Sequence, residues 1–230
     1  MDESTVVVTG ASRGIGEWVA RELASEGTRV VGCARDADTI GAVAEEIADA
    51  GGEMTAVRAD VRDEFDVEHL VETAARVGGA IDGVVANAGV YHGTPGETPL
   101  AEESYAAFDD HLRTNARGVF ATVREAVPHL VEGARVVVPT GAVASHGMAG
   151  YGSYAVSKAA AEAVVRGCAA ELDATVGAVD PGAVDTELSG PGGRDPATVA
   201  GMVRWALIDA PADELDGGVL DWGAYRRATR

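Results

Sequence analysis

The sequence predicts an α/β fold: a doubly wound parallel sheet of about seven strands with helices on both faces, spanning residues 1–230 as a single domain. Two observations lead to it. β-branched runs alternate with helical patterns along the whole chain, and such alternation builds a parallel sheet covered on both faces. A glycine-rich turn, Thr9 to Gly16, separates the first such run from the first helix. Right-handed crossovers then leave the doubly wound arrangement as the leading topology.

In chain order, strand-like runs fall at 5–9 (Thr-Val-Val-Val-Thr), 29–34, 54–59, 82–86, 134–139, 174–179 and 217–221. Helical patterns lie between them at 14–26, 37–50, 63–77, 101–113, 115–131, 153–172 and 196–209. The last helix opens on Asp195-Pro196, an N-cap followed by proline in the first turn. The Gly/Pro-rich stretch from Ser189 to Pro196 reads as a loop and not a domain boundary, because only about 35 residues come after it. No repeat or low-complexity tract divides the chain.

Composition bounds the partners. At 230 residues, with 47% hydrophobic and 24% charged side chains, the chain can bury one sizeable core. Its net charge of −19 opposes binding to nucleic acid or to anionic membrane surfaces. No apolar run approaches the roughly 18 residues needed to span a bilayer. The acidic start, Met1 to Ser4, running straight into a strand, reads as no signal peptide. Two distant cysteines, Cys33 and Cys168, suggest a reduced, cytoplasmic protein. An acidic, lysine-poor surface suits high salt, where screening mutes self-repulsion. Of the 18 Lys+Arg residues one alone is lysine, Lys158, four positions after Tyr154. Lysine and arginine differ in hydration and proton chemistry, so a lone lysine one helical turn from a tyrosine marks a reacting site.

In the turn Gly10-Ala11-Ser12-Arg13-Gly14-Ile15-Gly16, glycines let the backbone approach a pyrophosphate, and the helix N-terminus offers free N–H groups. Asn87-Ala88-Gly89 comes after the fourth strand, and Tyr154-x3-Lys158 opens the sixth helix. Asp60-Val61 comes after the third strand, Asn115 lies in a helix, and Pro181-Gly182 with Val184 and Thr186 comes after the sixth strand. In order and spacing, from residue 5 to about 222, these motifs resemble the short-chain dehydrogenase/reductase family. The resemblance implies a Rossmann-like fold, a nicotinamide dinucleotide cofactor and a small carbonyl or alcohol substrate. It assigns the cofactor to the residues just quoted. It implies that Lys158 bonds the nicotinamide ribose, that Asn115 supports a water-linked proton relay, and that the protein is a homodimer or homotetramer. The small-residue helix from Ala159 to Ala170 could pack on such a neighbour or on its own sheet.

An acid at the end of the second strand would bind the ribose 2′-hydroxyl of NAD(H). Neutral Ala34 stands there, with Arg35 next to it and Arg13 in the glycine turn; two guanidiniums suit a 2′-phosphate, so NADP(H) is favoured. NAD(H) stays open through Asp36. Tyr154 is the expected acid and base, with Lys158 lowering its pKa.

The sequence departs from the family in two places. The third catalytic group is a serine thirteen residues before the tyrosine, where this chain has Gly141. Losing one preorganised donor costs about 10²–10³ in rate. Thr140, Ser145 and Ser153 are nearby hydroxyls. The segment after Thr186 is short, which predicts an open, shallow pocket. Two functions are compatible with these residues: an NADP(H)-dependent oxidoreductase, or a dinucleotide-binding protein without turnover, a sensor or assembly partner. His69, His92, His111, His129 and His146 lack metal-ligand spacing and read as surface or loop residues, His146 alone lying near the expected site. Trp18, Trp205 and Trp222 read as core-packing residues.

Overall fold

A computed structural model describes residues 4–230, so the acidic start from Met1 to Glu3 lies outside the described residues. Seven parallel strands form one sheet in the order β3-β2-β1-β4-β5-β6-β7. They are β1 (Thr5–Thr9), β2 (Arg29–Ala34), β3 (Glu53–Arg58), β4 (Ile81–Val85), β5 (Leu130–Pro139), β6 (Thr175–Asp180) and β7 (Val219–Asp221). Helices α1 (Gly14–Ser25), α2 (Ala37–Asp49) and α7 (Pro196–Ile208) cover one face. The other carries α3 (Glu64–Gly78), α5 (Gly118–Ala126) and α6 (Gly152–Glu171). Helices α4 (Tyr105–His111), α8 (Ala212–Leu215) and α9 (Trp222–Ala228) complete the set among the described residues.

The unbroken valine run of β1 follows from this two-sided cover. Val6 and Val8 point into the layer with Leu23, Ile40 and Met202, while Val7 points into the layer with Leu70, Val84 and Val136. Between its two terminal threonines the strand is buried on both faces and has no solvent-facing side, so the polar–apolar alternation disappears. Each buried valine contributes roughly 1.5–3 kcal/mol relative to exposure. Helix starts are fixed locally: the carboxylates of Asp36, Asp63, Asp195 and Asp221 accept backbone N–H groups at the starts of α2, α3, α7 and α9.

Several boundaries differ from those predicted. The helix expected over 115–131 ends at Ala126, and β5 begins at Leu130, not at 134. Pro128 has no N–H to continue the helix, and a short 3₁₀ turn from Val127 to His129 redirects the chain. β5 then pairs Leu130 with Ile81, slips register, and pairs Arg135 with Gly83, with Gly133 at φ +77° inside the irregular stretch. No break separates the helices expected at 101–113 and 115–131: after α4, whose start Ser104 caps, the chain passes through a π segment, Leu112–Arg117, into α5. The expected strand 217–221 shortens because Gly217 takes φ +69°. Helices α8 and α9 were not predicted. Trp205 lies in the core, but Trp18 is 40% exposed on α1 with Arg21 stacked over it, so core packing does not explain it. Cys33 is buried in β2, and Cys168 is half-buried on α6.

Because Leu70 is fully buried between α3 and the sheet, Leu70→Ala should cost about 2–5 kcal/mol in denaturant unfolding. Phe65→Ala on the same helix, at a residue 73% exposed, should stay within about 0.5 kcal/mol of the parent.

Candidate active site

The sheet order reverses at β1, which lies between β2 and β4, and a cleft opens at the carboxyl ends of these strands. Its cavity holds about 690 Å³. It runs from Arg35 and Asp36 past the glycine turn to Gly141, Tyr154 and Lys158.

Close packing shapes the turn. Gly10 sits at φ +67°, and a Cβ there would lie 2.8 Å from Ala88 Cα. A Cβ on Gly16 would collide with Gly10 O and with the Asn87 amide. That amide donates to Thr9 O and Gly10 O, each at 3.1 Å, while Thr9 Oγ1 accepts from Asn87 N and Ala88 N. Asn87-Ala88-Gly89 is thereby fastened to the turn. Arg13 makes no side-chain cap on α1, leaving its first N–H groups facing the cavity with the positive end of the helix dipole.

Arg13, Arg35 and Asp36 all line the cleft. Arg13 pairs with Glu187 at 2.6 Å, both exposed. The Asp36 carboxylate accepts Thr39 N as the cap of α2, which holds its pKa below the usual carboxylate value. Asp60 is gripped by Arg62, whose hydrogen bonds keep the Asp60 carboxyl below its ordinary range, and Arg62 reaches on to Asp110. Val61 packs against Gly118 and lines the cavity.

Asn115 is buried in the π segment. Its Oδ1 accepts Val90 N at 2.8 Å, and its Nδ2 donates to Val90 O and to Ser157 Oγ, each at 2.9 Å. Both amide hydrogens are thus committed, leaving an Oδ1 lone pair and the main-chain carbonyl for any water. Lys158 Nζ donates to Pro139 O at 2.9 Å and stands 5.8 Å from the Tyr154 ring centroid.

Burial dominates the electrostatics. It pushes the Tyr154 hydroxyl up, with Tyr91 and Tyr151 adding to the effect, and brings the Lys158 ammonium down to about 8 against the pull of Glu162. In this arrangement burial outweighs any lowering of the tyrosine by the lysine. Desolvation disfavours both charged forms, and the ammonium sits beside the ring and bonds to a carbonyl.

Three hydroxyls are candidates to replace the absent serine, and each is engaged elsewhere. Thr140 Oγ1 donates to buried Glu162 at 2.8 Å. Ser145 is exposed and bonded to His146 at 3.0 Å. Ser153 is fully buried against His111 Nδ1 at 2.7 Å. Gly141 is extended at φ −171°, and a Cβ there would meet nothing within 4 Å.

His111 overturns its reading as a surface residue. It is fully buried because α4 seats it against the first turn of α6, where its Nε2 accepts His92 N at 2.9 Å. Burial lowers its pKa, with Glu103 opposing. The Glu103 carboxylate in turn accepts Ser153 N, capping α6 from outside, since α6 has no side-chain cap of its own. His146 is exposed and does not line the cavity. Tyr91, Met148 and Tyr151 do line it, and sequence reasoning passed over them because no spacing distinguishes them.

The short segment after β6 is firmly tied. Val184 bridges Arg194, Arg194 NH1 donates to Pro181 O at 2.6 Å, and the Arg194 guanidinium stacks 4.7 Å from the Trp222 ring centroid. Thr186 packs against Gly14, and Glu187, Leu188 and Ser189 form one wall of the cleft.

A cleft of this kind, at a switch point and floored by a glycine turn, defines the class of doubly wound α/β nucleotide-binding proteins. The family model for short chain dehydrogenase matches residues 4–196. Versicolorin reductase of Emericella nidulans is 34% identical over 193 residues, covering 82% of this chain and 72% of that protein. A dehydrogenase/reductase from Sinorhizobium meliloti superposes with a TM-score of 0.86 at 32% identity, covering 97% of this chain and 96% of the other. A short-chain dehydrogenase from Burkholderia cenocepacia, solved in complex with NADP, gives a TM-score of 0.86 at 28% identity, covering 96% of both chains. The chain belongs to the short-chain dehydrogenase/reductase family, a family of oxidoreductases.

The depressed Lys158 value has a consequence for folding. Between about 8 in the folded protein and 10.5 in the unfolded chain, the unfolded chain holds a proton that the folded protein has released, so this group makes stability rise with pH across that window. Lys158→Met should be more stable than the parent below the window, and the gap should narrow above it. Urea unfolding at several pH values checks this; a gap independent of pH would contradict it.

Proposed function

We propose that the protein interconverts a ketone or aldehyde and an alcohol with NADP(H), using Tyr154 as acid and base. The observation that carries this is one continuous cavity joining the glycine turn to the Tyr154–Lys158 pair. The residues present fit the cofactor: Gly10 and Gly16 leave room for a close backbone approach, and α1 presents uncapped N–H groups to a pyrophosphate. When bound, NADPH supplies the hydride. Gly10 to Gly16, Asp60-Val61, Asn87-Ala88-Gly89 and the segment from Pro181 to Thr186 bind it. Arg13 and Arg35 receive a 2′-phosphate, a reading consistent with the NADP complex of the Burkholderia relative. NAD(H) would need Asp36, whose carboxylate is already the cap of α2.

A neutral Tyr154 is the resting form that burial favours, which suits a group that donates its proton to the carbonyl oxygen as hydride arrives. Lys158 bonds the nicotinamide ribose and, as an ammonium, stabilises the tyrosinate left behind. Asn115 orients Val90 and Ser157, and Ser157 in turn bonds Tyr154 O at 2.7 Å. The aromatic and apolar lining from Tyr91, Met148 and Tyr151 favours a substrate of some bulk. Assembly as a homodimer or homotetramer belongs to the same proposal. The second reading, binding without turnover, rests on Gly141.

In high salt, purified protein should consume NADPH with members of a ketone and aldehyde panel, and Tyr154→Phe should lose at least about 10²-fold in kcat. NADPH bound without consumption across the panel would favour the second reading. Charge reversal at Arg13 and Arg35 should weaken NADPH far more than NADH in binding titrations; equal losses would sink the cofactor preference.

A further inference from the structure

The absence of a serine at 141 leaves open which group polarises the substrate carbonyl. We propose that Tyr151 does so, as a catalytic residue whose phenolic O–H hydrogen-bonds the carbonyl oxygen in place of the missing hydroxyl. The assignment rests on the reductase reading and deepens it.

Four observations carry it. First, among the hydroxyls at the catalytic end of the cavity, those of Tyr91 and Thr140 are spent on protein acceptors. Tyr151 and Tyr154 line the same space with no hydrogen-bond partner for their hydroxyls among the described residues.

Second, Tyr151 is the residue at the start of α6, with helical φ −108° and ψ −1°. It stands three positions before Tyr154, and both side chains line the same cavity. The two phenols are near enough that Tyr151 contributes to raising Tyr154.

Third, its backbone is held in place. Tyr151 bridges Thr98, and Thr98 N donates to Gly150 O at 2.9 Å. The flanking Gly150 and Gly152 sit at φ +80° and +49°, conformations that side chains disfavour. A Cβ on Gly150 would strike Gly96, and one on Gly152 would strike the Glu103 carboxylate. The segment is built to seat one large side chain between two glycines.

Fourth, the space beside Gly141 is open, and Gly141 and Tyr151 line the same cavity.

The chemistry balances without any new reactant. Tyr154 gives up the proton, the hydride is what NADPH would supply when bound, and Tyr151 keeps its own proton and only donates a hydrogen bond. That bond strengthens as the carbonyl oxygen gains charge, so its loss falls on kcat more than on KM. A phenol is also a stronger donor than an aliphatic hydroxyl, so the exchange need not cost rate.

The test is a double-mutant cycle on kcat with the best ketone of the panel. Tyr151→Phe removes only an unpartnered hydroxyl, so melting temperature and NADPH affinity, read by fluorescence titration, should match the parent. Its kcat should fall by about 10²-fold. Gly141→Ser restores a hydroxyl at the vacant position, and in that background Tyr151→Phe should cost less than about threefold. Wild-type kcat in Tyr151→Phe overturns the assignment, as does a loss of equal size in both backgrounds. If the parent binds NADPH but turns over no ketone, the reductase reading itself fails and the assignment falls with it.

Discussion

The amide of Asn87 holds together the two strands on which the site depends, because its two donors reach Thr9 O and Gly10 O across the point where the sheet order reverses. β1 and β4 pair in parallel as far as Val8 and Val85, and the Asn87 amide continues the tie beyond their last pair. Thr9 Oγ1 closes the same joint from the other side by accepting Asn87 N and Ala88 N. Gly16 is a consequence of this contact: any larger residue would push α1 off the amide. The glycine turn is thus shaped as much by what packs behind it as by what binds in front.

Helix α6 is positioned by a second set of polar contacts. Glu103, just before α4, caps its first turn, His111 fixes Ser153, and Asn115 fixes Ser157. A buried carboxylate without partners would be costly, and Glu103 keeps Oε1 unpaired except for His111 Nδ1 at 3.4 Å. The His111 tautomer is set by this surrounding: Nε2 accepts His92 N, so Nδ1 carries the proton. These groups seat the first turn of α6, where Tyr154 lies, and the same burial sets the proton affinities of Tyr154 and Lys158.

The strands and the glycine turn were legible because their causes are local. A valine run needs two apolar layers, and a glycine turn needs backbone freedom; both are visible in a few adjacent residues. Helix ends were less legible. β5 starts early because Leu130 finds Ile81 across the sheet, and no feature of 130–134 announces that partner. The site was readable as far as its spacing was repetitive, as with Tyr154 and Lys158 one turn apart. Tyr91, Tyr151, Glu103 and His111 carry no such rhythm. They meet only because α4, the loop after β4 and the start of α6 converge.

The sequence by itself determined the family, the order of the strands and helices, the Gly10–Gly16 turn and the absence of a hydroxyl at 141, since each is a matter of residue type at a counted position. Tertiary structure alone decided which hydroxyls are free. Thr140, Ser145 and Ser153 look equivalent on paper, yet Glu162, His146 and His111 occupy them. It also decided the sign of the Tyr154 shift, because desolvation depends on the groups packed around a side chain in space and not on its neighbours along the chain.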